Sequence, residues 1–166
     1  MNIRLLSIRA LCIMGIAAAA LPFAAATSNS ATTQEVVVTI NRVRALDVID
    51  AASKADFVAR VTIAGQVFTT PPIRNQDDIQ PTDWVFRHKV RPGAHPITIE
   101  ILDKDVTRND VIDINRAANK RSLDVGINTR LCQVTGLSEL HRCGTRIVRA
   151  GTEPKKAEIT FTVDVR

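Results

Sequence analysis

Six short runs of β-branched and alternating residues, separated by Pro and Gly, constrain this 166-residue chain more than any other feature. They are Val36 to Ile40, Phe57 to Ile63, Gln66 to Thr70, Trp84 to Val90, Ile97 to Leu102 and Glu158 to Val165. Apolar and polar residues alternate in several of them, the pattern of a strand with one face buried. Ala64-Gly65 offers a tight hairpin turn between the second and third, and Pro71-Pro72, Pro81, Pro92-Gly93 and Pro96 punctuate the other connections. That spacing predicts an all-β chain folded as an eight-stranded antiparallel β-sandwich over residues 35–166. Residues 113–157 are less regular: Ile112 to Ile114 and Ser122 to Ile127 suit strands, and Gly136 to Arg146 suits a short helix or loop. With 4% aromatic residues and no Tyr, the chain lacks the rings for a base-stacking or sugar-stacking surface.

The first 26 residues read differently. Arg4 and Arg9 precede an apolar run from Ala10 to Ala20, then Pro22 and the small residues Ala24-Ala25-Ala26. This is the order of a secretory signal, with cleavage expected near Ala26, and the run is about half the ~20 residues of a membrane-spanning helix. Residues 27–34 are small and polar and read as a flexible leader. The mature protein is therefore expected to be secreted or periplasmic. The net charge of +5 falls to +3 once Arg4 and Arg9 leave, because 20 basic residues then face 17 acidic ones. The remaining basic residues are scattered, so the charge reads as solubility and no nucleic-acid partner is expected. Arg87-His88-Lys89 with Arg91 reads as a solvated face. A monomer is expected.

Cys12 lies inside the apolar run and leaves with it, so Cys132 and Cys143 remain. In an exported chain they are expected to form a disulfide. A zinc site there has His141 as its only nearby imidazole and lacks a C-x-x-C pair.

Two acidic connections carry the chemistry. Residues 46–57, Leu46 to Phe57, contain Asp47, Asp50 and Asp56, and the segment after Leu102 contains Asp103, Asp105 and Asp110. If both connections leave one end of the sandwich, their carboxylates converge and repel unless a cation neutralises them. The cation that suits such a set is calcium, which takes six to eight oxygens from flexible carboxylates and carbonyls, whereas zinc or copper calls for His or Cys. An EF-hand is excluded, because Arg108 stands where the sharp turn needs Gly and Ile114 where a bidentate Glu belongs.

In this arrangement the chain resembles a C2 domain, the calcium-dependent membrane-binding β-sandwich, over roughly residues 35–166. Asp50 and Asp56, six apart and followed by Phe57-Val58, are similar to the first calcium loop of that family. Asp103-Lys104-Asp105 with Asp110-Val111-Ile112 is similar to the third, although Asp113 follows the apolar pair where the family usually has glycine. Pro81 to Phe86, with Trp84, resembles a family strand with tighter Trp-to-Phe spacing. A start at Val36 and an end on Glu158 to Arg166 suit the type II circular permutation. The resemblance implies calcium ligands at Asp50, Asp56, Asp103, Asp105 and Asp110, no enzymatic activity, and an anionic phospholipid surface or an envelope protein as partner. Ile49 and Val106, at the loop tips, are expected to insert shallowly into such a surface.

Two other readings share the sandwich. One is a calcium-independent interaction module of the cell envelope, its loops merely acidic. The other is a small hydrolase, which requires His88, His95 or His141 within reach of an acidic loop.

Overall fold

The computed structural model describes residues 32–50, 53–105 and 109–166. The expected signal, the leader as far as Ala31, and Val106 lie outside the described residues. Two antiparallel sheets face each other across one apolar core. In the first, β1 (Gln34–Ala45) lies beside β12 (Ala157–Val165), and β11 (Ile147–Ala150) continues from β12 to the edge. On its other side β1 carries two short partners end to end, β5 (Val85–Val90) along its first half and β4 (Asp78–Ile79) near its end. The second sheet repeats this device. Its long strand β6 (Ala94–Lys104) pairs with β2 (Phe57–Ile63) on one side, and on the other with β8 (Leu123–Asn128) and then β7 (Asn109–Ile112). β3 (Gln66–Thr69) closes one edge, and β9 (Gln133–Thr135) with β10 (His141–Arg142) closes the other.

The β-sandwich stands as expected, with twelve strands among the described residues in place of eight; the four additional ones, β4, β9, β10 and β11, are only two to four residues long. The Ala64-Gly65 turn has positive φ at both residues, 50° and 89°, the backbone a two-residue hairpin requires. The 136–146 segment holds β10, and no helix occurs among the described residues. Cys132 and Cys143 are disulfide-bonded with their Cα atoms 5.2 Å apart, which closes the β9–β10 ribbon and takes both sulfurs out of any zinc site.

The core follows from strand alternation. Val36, Val38 and Ile40 of β1 face inward with Ile159, Phe161 and Val163 of β12, against Phe57, Ala59, Val61 and Ile63 of β2 and Ile97, Ile99 and Ile101 of β6. Trp84 is buried with them, and its carbonyl accepts the Ile40 amide at 3.0 Å where β1 bulges around Asn41. Reduction of the Cys132–Cys143 bridge is expected to lower unfolding stability by about 2 kcal/mol, since it closes a loop of 11 residues in the unfolded chain. Chemical denaturation with and without reductant measures it.

Candidate functional site

The ends of β1 and β6 and the starts of β2, β7 and β12 meet at one pole. Phe57 at the start of β2 pairs with Asp103 near the end of β6, so the two acidic connections are neighbours by strand register. Asp103 is 3% exposed and accepts the Asp56 amide at 2.7 Å, while the Lys104 amide donates to the Asp56 carbonyl at 2.9 Å. Asp110 stands opposite Asp103 in the β6–β7 register. Asp50 holds the Ser53 hydroxyl at 2.6 Å. Asp105 follows Lys104 where β6 runs out.

The carboxyl of Asp103 is held above the usual carboxylate range. Burial is the largest cause, opposed by the Asp56 amide, and the charges of Asp105, Asp50 and Asp56 raise it further. The pole therefore presses like charges on a buried acid and offers oxygen as its donor atom, a set that fits a hard divalent cation. Among the described residues no three of these carboxylates have oxygens all within 4.8 Å of one another; that spacing occurs at Cys132, Cys143 and Asp164, where the sulfurs are bonded to each other. Gathering the rim oxygens to the 2.3–2.6 Å of a calcium shell thus takes an inward rotation of loop side chains.

Three features of the rim were not visible in the two acidic segments. The connection after β3 joins it: the Asn75 amide donates to the Asp56 carboxylate at 2.8 Å, Asn75 has a φ of 53°, and the Gln76 amide reaches the Ala55 carbonyl at 3.0 Å. Asn75 therefore fixes the orientation of Asp56. Asp47 is drawn away, since its carboxylate accepts the Lys156 amide at 2.8 Å. Lys155 brings a cation in, pairing its ammonium with the Asp110 carboxylate. That ammonium is held above the usual lysine range, chiefly by the Asp110 hydrogen bond with burial opposing, and then by the charges of Asp110, Asp103 and Asp105.

The apolar loop residues differ from expectation. Ile49 is 4% exposed and packs into the core, so it cannot insert into a surface. Its neighbour Val48 points outward instead, at 72% exposure, and Leu46 is exposed at 39%.

The hydrolase reading loses its geometry. His95 lies eight residues up β6 from Asp103, about 26 Å at ~3.3 Å per residue. His88 pairs with Val36 in the first half of β1, and His141 connects through Val134 and Ile127 to His95, so both belong to the far half of the sandwich. Of the basic face on β5, Arg87 pairs with Glu35 at 3.3 Å.

No family sequence model matches the chain, and no curated protein matches it in sequence. Solved structures do resemble it. A C2 domain superposes with a TM-score of 0.55 at 13% identity, over 80% of this chain and 97% of that one. The calcium-bound pair of C2 domains from extended-synaptotagmin 2 gives 0.54 at 13% identity, over 79% of this chain and 45% of that one. Human GIVD cytosolic phospholipase A2 gives 0.53 at 16% identity, over 81% of this chain but 17% of the enzyme. This chain thus spans less than half of the synaptotagmin chain and about a sixth of the phospholipase. Two facing antiparallel sheets, with three connections gathered at one pole, give this chain the fold of a C2 domain.

Proposed function

We propose that this chain is an exported calcium-binding C2 module, in which Asp50, Asp56, Asp103, Asp105 and Asp110 hold the ion and the loaded rim engages an anionic phospholipid surface. The observation that carries the reading is Asp103, a buried carboxyl at a strand end with the charges of three further carboxylates pressed on it. A bound ion would neutralise that charge and offer its remaining coordination positions to phosphate oxygens. Val48 and Leu46, exposed beside the rim, suit shallow insertion into the acyl boundary once the charge is neutralised. The calcium-bound state of the synaptotagmin domains adds support. The disulfide suits the oxidising compartment that a cleaved signal near Ala26 would lead to.

Calorimetric titration with calcium is expected to show binding, and thermal melts to show a higher midpoint in calcium than in chelator. A ligand at a hundred times its Kd stabilises the native state by about 2.7 kcal/mol. Co-sedimentation with phosphatidylserine vesicles is expected to require calcium, and phosphatidylcholine vesicles to leave the protein in solution. Equal midpoints in millimolar calcium and in chelator would favour the second reading, an interaction module of the envelope that works without calcium. The observation on its side is Lys155, which already supplies a positive charge to the rim.

A further inference from the structure

The segment that carries Lys155 is built more firmly than a surface loop needs to be. The Gly151 amide reaches the Ala157 carbonyl at 3.1 Å, and the Asp113 carboxylate holds the Thr152 and Glu153 amides at 2.8 and 2.7 Å. Arg121 donates to the Pro154 carbonyl at 3.1 Å and also to the Val111 carbonyl of β7. The Asp113 amide donates to the Lys155 carbonyl at 2.9 Å, and the Leu46 amide to that of Lys156. Within this strap Lys155 has a φ of 61°, a left-handed backbone that a lysine adopts only when its surroundings hold it there. The result is an ammonium delivered to the carboxylate of Asp110, next to Asp103 in the register.

We propose that Lys155 is a tethered counter-cation of the acidic rim, which stabilises the rim without metal and competes with a divalent ion for Asp110, so that it sets the affinity of the site. The competition rests on the calcium reading above; the counter-cation role does not. The position is half-exposed, so its effect is modest and screened by salt. Removing it does two opposite things. Without metal the rim carboxylates repel more strongly, and with metal Asp110 is released to the ion.

The full chain is compared with its Lys155→Met variant, which keeps the length of the side chain without its charge or a ligand oxygen. Lys155→Arg serves as the charge-conserving variant, and Lys155→Gln as the substitute should the Met form not fold. In 0.1 M salt, Lys155→Met is expected to bind calcium about three- to fivefold more tightly by calorimetry, with Lys155→Arg indistinguishable from the parent. In chelator Lys155→Met is expected to melt below the parent, and Lys155→Met with Asp110→Asn to recover the midpoint. If the parent binds calcium and loses it in Asp103→Asn, but Lys155→Met leaves the Kd unchanged, the competition is overturned while the calcium reading stands. If the parent binds no calcium, that reading falls; a gain of binding in Lys155→Met, or a chelator midpoint lowered and then rescued by Asp110→Asn, supports the counter-cation. No gain and equal midpoints overturn it.

Discussion

Replacing Asp113 by Ala is expected to lower unfolding stability by about 3–5 kcal/mol, because three backbone amides lose one shared, buried acceptor together. Asp113 is fully buried, and its carboxylate takes the Asn115 amide at 2.9 Å as well as those of Thr152 and Glu153. Its own amide and carbonyl bond to Lys155 and Ala157, so one residue ties the end of β7 to the strap that precedes β12. Asn keeps one acceptor but puts an NH2 group toward an amide donor, so Asp113→Asn is expected to recover only part of the loss. The same junction explains Gly151. A methyl group there would stand 2.2 Å from the Asp113 carbonyl oxygen, which belongs to the backbone and cannot turn aside. Gly151→Ala is therefore destabilising by about 1–3 kcal/mol, and the double variant is expected to fall short of the sum because both changes break one junction. Urea midpoints for the three variants measure this. A Cm for Asp113→Ala equal to that of the parent would show that the clamp contributes nothing to stability.

That junction also marks where the sequence stops being legible. Strands with several alternating residues, such as Phe57 to Ile63 and Glu158 to Val165, declare themselves because one face must be apolar over five or more residues. β9, β10 and β11 are too short for a period to show, and their pairing is imposed by the disulfide and by β8 and β12. The five candidate ligands were readable because Asp spacing within a connection survives folding. Asn75 and Lys155 were not, because they reach the rim from connections with no acidic pattern, and only the β2–β6 and β6–β7 registers bring Asp56, Asp103 and Asp110 to one place. Asp113 stood out only as a departure from glycine, and the sequence held no sign that its carboxylate would grip a segment 39 residues away. Ile49 is illegible for a related reason: in an acidic connection, beside Asp50, it reads as an exposed loop tip, but the chain dips into the core there.

In Asp103→Asn, calcium affinity is expected to fall by 10²–10³-fold, roughly 3–4 kcal/mol, since the best-buried carboxylate of the rim loses its charge. The same substitution is expected to leave the calcium-free protein as stable as the parent or more so at pH 7. The carbonyl oxygen of Asn can still accept the Asp56 amide that Asp103 holds at 2.7 Å, so the hydrogen bond between the two acidic connections survives. What disappears is an ionised group in a place that opposes ionisation. A carboxyl whose folded value lies above its unfolded one contributes most below the unfolded value, near 3.9, and that contribution is lost as the pH rises through the folded value. The calcium-free stabilities of Asp103→Asn and parent should therefore converge on acidification and separate towards neutrality, with the variant above. Millimolar calcium should reverse the order at pH 7, because the native parent alone gains the binding energy. A variant that loses stability in chelator at pH 7, or keeps the calcium Kd of the parent, would contradict the assignment of Asp103. The crossing is what a ligand-binding rim demands: charge that destabilises the free protein is the charge that makes the ion bind.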